Sequence, residues 1–159
     1  MGWLWLLLPL LIGAALVLRW RRGPRLSFAE LRTRFLQQRE HLEAEFFTAA
    51  AASGKPRGLR WKDCEWDSEV AFARERSTGR LAALVAVTIS FEAIEGGDME
   101  GVAAVGNLRN ASAVFFYHRG HWRTTGKAVF NLNPDEAIAH FKDQFVPLEV
   151  PEPPGAGTP

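Results

Sequence analysis

The feature that most constrains this chain is an uncharged, apolar run of seventeen residues at its N-terminus, Gly2–Leu18. As a helix, such a run spans about 25 Å, at the short end of what crosses the hydrocarbon core of a bilayer. Helix is expected because a segment in lipid must satisfy its backbone hydrogen bonds internally, and Pro9 is tolerated there. Tryptophans lie at the two ends of the run, where indole rings favour the membrane interface: Trp3 and Trp5 at one end and Trp20 at the other. The pattern predicts a transmembrane anchor with a basic flank over residues 1–26.

A cluster of basic residues directly after the run predicts its orientation: Arg19, Arg21, Arg22 and Arg25. Positive residues beside a membrane helix stay in the cytoplasm, so we expect a single-pass protein with its N-terminus outside and its body cytoplasmic. The alternative is a cleaved signal peptide, which needs a positive region before the apolar core and a small-residue cleavage site after it. Gly13-Ala14-Ala15 lies inside the run instead. The sequence favours the anchor and leaves cleavage open.

A long amphipathic helix is predicted over Ser27–Ala52, because apolar residues recur at helical spacing: Phe28, Leu31, Phe35, Leu42, Phe46 and Ala49. Ser27 and Glu30 have the spacing of a capping box. Gln38 and Glu45 interrupt the stripe and weaken a coiled-coil interpretation. We expect the stripe to pack on the domain's own sheet, with homodimerisation or a protein partner on this helix as the alternatives.

Antiparallel strands are predicted after Leu59, where hydrophobicity changes to a period of two. In the clearest case, Val85, Val87, Ile89 and Phe91 share one face of a strand. The candidate strands are Leu59–Trp66, Glu69–Arg76, Arg80–Ile94, Ala111–His118 and Trp122–Phe130, with Val102–Val105 as a short strand or part of a loop, and Gly126 as a bulge or break. A short helix follows, capped by Asn133, Pro134 and Glu136, with Ile138, Phe141 and Phe145 facing inward.

The element order predicts an α+β fold. We expect the long helix to pack on an antiparallel sheet of about four to five strands, with the short C-terminal helix, in a domain over residues 27–146. This order, over roughly residues 27–145, is similar to cystatin-like and NTF2-like architectures, and no residue motif carries the resemblance. The Pro/Gly-rich segment 147–159 is predicted to be a disordered tail.

Candidate chemistry is sparse. His118 and His121 form His-x-x-His across a turn, but no third metal ligand is evident, so we expect them to lie on an exposed turn. Cys64 stands between Asp63 and Glu65, which oppose thiolate formation, and it reads as a structural cysteine. The acidic loop residues Glu95, Asp98 and Glu100 lack EF-hand spacing. We therefore assign no catalytic residue, cofactor or metal. Both faces of Ala113–Tyr117 are apolar, which indicates either a pocket or partner on one face or helices covering both.

Charge adds one exclusion. The net charge is +1, and beyond residue 26 the chain carries fifteen basic and eighteen acidic side chains, so we expect no nucleic-acid partner. The leading hypothesis is a membrane-anchored domain for protein interaction or scaffolding that is not an enzyme. The alternative is a ligand-binding domain of cystatin-like or NTF2-like architecture, with a concave sheet closed by the long helix. An enclosed apolar cavity would favour the ligand, and a filled core with exposed apolar side chains would favour a partner.

Overall fold

The computed structural model describes residues 26–54 and 56–149. The predicted anchor, its arginine cluster and residues 150–159 of the predicted tail lie outside this part of the chain. Within the described residues, no helix has both the length and the apolarity needed to cross a bilayer. The chain divides into two compact units, one ending at Gln37 and the other starting at Gln38.

The predicted long helix is two helices, which corrects the single element expected over Ser27–Ala52. Helix α1 spans Phe28–Gln37 and helix α2 spans Arg39–Ala52. Gln38 separates them because its ψ of 4° departs from helical geometry. The capping box of α1 is confirmed, since the Ser27 amide donates to Glu30 Oε2 at 2.7 Å and the Glu30 amide donates to Ser27 Oγ at 3.3 Å. Phe35 is the buried residue of α1.

The second unit is built on a five-stranded, entirely antiparallel sheet, which confirms the predicted α+β class. The strands are β1 Leu59–Glu75, β2 Leu81–Ala93, β3 Arg109–His118, β4 His121–Phe130 and β5 Phe145–Leu148. Their order across the sheet is β4-β3-β2-β1-β5. The two strands predicted before residue 76 are one strand, β1, whose register shifts between Trp66 and Val70. The Val102–Val105 candidate is not a strand, since a 3-10 helix spans Ala103–Gly106.

One face of the sheet, the first face, is covered by α2. The ring of Phe46 lies 6.0 Å from Trp61, 5.4 Å from Trp66 and 5.9 Å from Phe115, measured between centroids. The alternating residues of β2 that share this face are all buried: Leu81, Ala83, Val85, Val87, Ile89 and Phe91. The packing of this half of the predicted helix on the domain's own sheet is therefore confirmed.

A short helix, α3 Pro134–His140, covers part of the opposite or second face. Ala137 and Ile138 pack there against buried side chains of four strands: Ala73, Ala82, Leu84, Val114 and Phe145. The capping box is formed as predicted, with Asn133 Oδ1 accepting from the Glu136 amide at 2.8 Å. Phe145 does not belong to the helix. It begins β5, which also takes Pro147 and Leu148 from the predicted tail and pairs them with β1.

Gly126 produces the predicted irregularity in β4. The register between β3 and β4 shifts beyond Ala113, and Thr124 Oγ1 bonds both the Val114 carbonyl at 2.9 Å and the Gly126 amide at 3.1 Å. Gly126 has a φ of +73°, and a Cβ on it would lie 2.3 Å from the Ala50 nitrogen. The bulge thus lets the backbone of α2 approach β4 more closely than a side chain would allow.

Candidate functional site

Strand register defines two opposite ends of this sheet. At the end where β2 finishes and β3 begins, Leu59 pairs with Ala93 and Ile89 pairs with Arg109; we call this the loop end. At the other end, tight turns join β1 to β2 and β3 to β4; we call this the hairpin end. Since β2 has thirteen residues, the two ends lie at most about 40 Å apart.

Large exposed apolar side chains gather at the loop end. Leu108 is 61% exposed, and the others are between 38% and 42% exposed: Ile94, Val102 and Phe130. All four lie on or beside the segments that connect or finish strands β2, β3 and β4. Single exposed apolar residues are common on protein surfaces, but several at one end of a small domain are typical of a contact surface.

An open cleft of about 560 Å³ adjoins Leu108 on the second face of the sheet. It forms there because α3 has seven residues and covers only part of that face. Its lining is mainly polar and comes from four segments of the chain: Asp67 and Glu69 of β1, Ala86, Val87 and Thr88 of β2, Leu108, Arg109, Asn110 and Ala111 around the start of β3, and Asn131, Leu132, Asn133 and Glu136 before and within α3.

Backbone irregularities place the acidic groups beside this cleft. Asp67 and Glu69 lie in the shifted register of β1, where the Glu69 amide donates to Asp67 Oδ1 at 3.1 Å and Arg39 of α2 donates to the Asp67 carbonyl. The Glu69 amide, followed by the Ser68 hydroxyl, lowers the pKa of Asp67, so its carboxylate is charged at neutral pH. The third carboxylate, Glu136, accepts the Asn133 amide at 3.0 Å.

Charge divides between the two ends. Segments 57–69, 92–110 and 131–136, which extend from the middle of the sheet to the loop end, carry ten carboxylates and four Arg or Lys, a net charge of −6. Segments 74–80, 117–127 and 140–144, at the hairpin end, carry seven Arg or Lys and two carboxylates, a net charge of +5. The domain therefore has strong opposite charges on its two ends although its total charge is small.

The hairpin end is held together by side chains that cross between turns. Arg80 bonds Glu75 Oε2 at 2.8 Å through Nη2, and its guanidinium carbon lies 4.8 Å from the centre of the Phe116 ring. The Thr78 hydroxyl, followed by Arg80, lowers the pKa of Glu75. Arg76 donates to the carbonyls of both Gln144 and Lys142 at 2.8 Å, which joins the start of β5 to the first turn.

His118 and His121 lie opposite each other at the second turn of the hairpin end. Both are exposed, and Arg119 and Gly120 between them have positive φ, as in a two-residue hairpin. In the part of the chain that the structure describes, no three His, Cys, Asp or Glu side chains are close enough to hold a metal ion. The pair thus has the predicted place on an exposed turn.

Cys64 is half-buried in β1, in a groove of about 540 Å³ beside α2. Burial, followed by the neighbouring charge of Asp63, raises the pKa of its thiol to about 12. A thiol with that pKa is protonated at neutral pH and is a poor nucleophile. The direction of this shift agrees with the structural role predicted from its acidic neighbours.

The remaining sequence candidates have ordinary structural surroundings. Glu100 accepts the Gly96 amide at 2.8 Å within the acidic loop, while Glu95 and Asp98 are exposed. The apolar faces of Ala113–Tyr117 are explained by helices on both sides, with α2 over Phe115 and α3 near Val114. The cleft and the opposite charges of the two ends were not predicted, because both depend on which residues the strand register brings together.

Comparison with known proteins identifies no relative: no family model, no curated protein and no solved structure matches this chain.

Proposed function

We propose that this protein is a single-pass membrane protein whose cytoplasmic domain binds another protein at the loop end of its sheet. The anchor is Gly2–Leu18, and the arginines that follow it give the orientation. The observation that carries the interaction role is the group of exposed apolar side chains at one end of the sheet, above all Leu108.

The filled interior supports a protein partner over an enclosed small molecule. The space between α2 and the first face, where a cystatin-like or NTF2-like ligand would bind, is occupied by the rings of Phe46, Trp61, Trp66 and Phe115. The cleft beside Leu108 is open and mainly polar, unlike the enclosed apolar pockets that hold most small ligands. A partner segment can lie on such a surface.

Charge indicates what kind of partner fits. Leu108 adjoins a cleft lined by the carboxylates of Asp67, Glu69 and Glu136, with Arg109 as an opposing cation. A surface that combines an exposed leucine with a net negative charge is complementary to an apolar segment bearing lysine or arginine. A second copy of this domain would present the same negative charge to this surface. An anionic bilayer would also repel this surface.

The experiment measures membrane attachment and partner binding in one tagged, full-length protein. We expect the chain to resist extraction from membranes by carbonate, and deletion of Gly2–Leu18 to release it. Crosslinking in intact cells should give a defined heteromeric product that Leu108→Ser reduces about fivefold or more, as expected for a contact worth more than 1 kcal/mol.

Leu36→Ser is the matched control, because Leu36 is also an exposed leucine, 42% exposed, but lies in α1. Equal loss with both variants would contradict binding at the loop end. A crosslinked product made of two copies of the chain would show self-association in place of binding to another protein. Release of the full-length chain by carbonate would refute the anchor.

A further inference from the structure

The hairpin end carries cations that the fold does not use. Arg119, Arg123 and Lys127 are exposed, and among the described residues their side chains make no hydrogen bond or ion pair. By contrast, Arg74, Arg76 and Arg80 of the first hairpin bond backbone or Glu75 and hold the turns together. Three basic side chains are thus presented to solvent without a structural task.

These cations form one surface around Phe116. Arg123 pairs with Phe116 in the sheet, and Arg80 stacks on the ring of Phe116. Lys127 is close enough to Glu75, the partner of Arg80, to lower the pKa of its carboxyl. Arg119 lies at the tip of the same hairpin as Arg123. We call Arg80, Arg119, Arg123 and Lys127 the basic surface.

We infer that the basic surface binds the anionic phospholipid surface of the membrane in which the chain is anchored, and so orients the domain with its loop end away from the bilayer. The inference rests on the proposed anchor. Each Lys or Arg near an anionic leaflet increases surface binding about fivefold. With the hairpin end on the lipid, Leu108 and the acidic cleft face the cytoplasm, where a partner can reach them.

Proximity to the membrane favours this occupant over other polyanions. Nine residues separate Leu18 from Phe28 and ten more form α1 before Gln38, where the unit with the basic surface starts, so the linker reaches at most about 50 Å even with its non-helical part fully extended. The domain is therefore held beside the leaflet at a high effective concentration. A nucleic acid would also meet the basic surface, but it is not tethered to the domain, whereas the proposed anchor keeps the leaflet close to it.

The test measures which end of the domain lies nearer the lipid, using the full-length chain in nanodiscs. A donor dye is placed at Ser77→Cys on the hairpin end or at Asn107→Cys on the loop end, both exposed neutral positions, with Cys64→Ser as the background. The acceptor dye is on lipid headgroups. We expect stronger energy transfer from position 77 than from 107 with about 30% phosphatidylserine, and no difference in phosphatidylcholine or in about 1 M salt.

Two triple variants with the same change in charge give the control. Arg119→Gln/Arg123→Gln/Lys127→Gln should make the oriented state about a hundredfold less favoured, at fivefold per cation. Arg57→Gln/Arg60→Gln/Lys62→Gln, at the loop end, should leave the orientation unchanged. All six residues are exposed, so neither variant removes a buried contact.

The possible contrary results are distinct. A chain that leaves the nanodisc refutes the anchor and this inference together. A retained chain with equal transfer from both positions, or with equal effects of the two triple variants, refutes the orientation alone and leaves the proposed partner binding intact. Binding of single-stranded RNA that depends on Arg119, Arg123 and Lys127, without lipid-dependent orientation, would assign the basic surface to nucleic acid instead.

Discussion

Gly126→Ala tests whether the close approach of α2 to β4 depends on the missing side chain. An alanine Cβ at this position would lie 2.3 Å from the Ala50 nitrogen, 2.6 Å from the Ala50 Cα and 2.7 Å from the Ala49 carbonyl carbon. All three are backbone atoms, so no side-chain rotation relieves the clash and the helix itself must move. The φ of +73° adds a conformational penalty for any L-residue.

The two effects have separate magnitudes. Left-handed backbone in a non-glycine residue costs about 1–2 kcal/mol. Overpacking of a well-filled interior costs about 1–3 kcal/mol. We therefore expect Gly126→Ala to lower the free energy of unfolding by about 2–5 kcal/mol, a large fraction of a typical domain stability of about 5–15 kcal/mol.

Gly79→Ala is the matched control. Gly79 has a φ of +69°, but a Cβ there meets no atom within 4 Å. Gly79→Ala should lower the free energy of unfolding only by the cost of left-handed backbone, about 1–2 kcal/mol. Denaturant unfolding of both full-length variants in a non-ionic detergent, followed by tryptophan fluorescence, measures the difference. Equal losses with unchanged denaturant dependence would show that α2 does not need the space at Gly126.

Three further results are expected. Phe46→Ala should lower the free energy of unfolding by about 3–5 kcal/mol without changing sedimentation. Phe47→Ala, at a half-buried position, should lower it clearly less. Lost self-association at unchanged stability would refute the packing of Phe46 against the sheet. Cys64 should react with a maleimide at neutral pH only in denaturant. The contribution of its protonated thiol to the free energy of unfolding should fall as pH rises from 9.0 to about 12. Rapid reaction of the native chain would contradict the raised thiol pKa. Glu75→Gln should lower the free energy of unfolding by about 1 kcal/mol or less at neutral pH, because the ion pair of Glu75 with Arg80 is partly exposed. The substitution should have no effect once acid protonates Glu75 in the native chain. A loss of stability that persists in acid would exclude the ion pair as its cause.

Features set by neighbouring residues were predictable from the sequence. The capping boxes at Ser27 and Asn133 span four residues each, and both are formed. The alternation along β2 needs only the period of a strand, and its odd-numbered residues from Leu81 to Phe91 are buried as expected. Such signals are local, so they can be recognised in the sequence without knowledge of any tertiary contact.

Features that depend on distant partners were missed. Gln38 carries no helix-breaking signal, since glutamine favours helices, yet its backbone ends α1. Strand β5 has four residues, one of them Pro147, and exists because the edge of β1 offers it hydrogen-bonding partners. The Trp66–Val70 irregularity likewise preserves pairing with β2 on both sides of the gap between the two strands predicted there, so that they form one strand.

The charge distribution shows most clearly why composition says little about a surface. A net charge of +1 argues against strong electrostatic binding anywhere, and the sequence shows no long block of like charge after Arg25. The antiparallel register changes this result by bringing chain segments 74–80, 117–127 and 140–144 to one end of the sheet, where their cations add together. Because ionic interactions fade over about 8 Å at physiological salt, a charged surface that meets that end responds to its local charge and not to the molecule's total charge. The local charge at the hairpin end therefore depends on strand pairing, which no single segment of this sequence specifies.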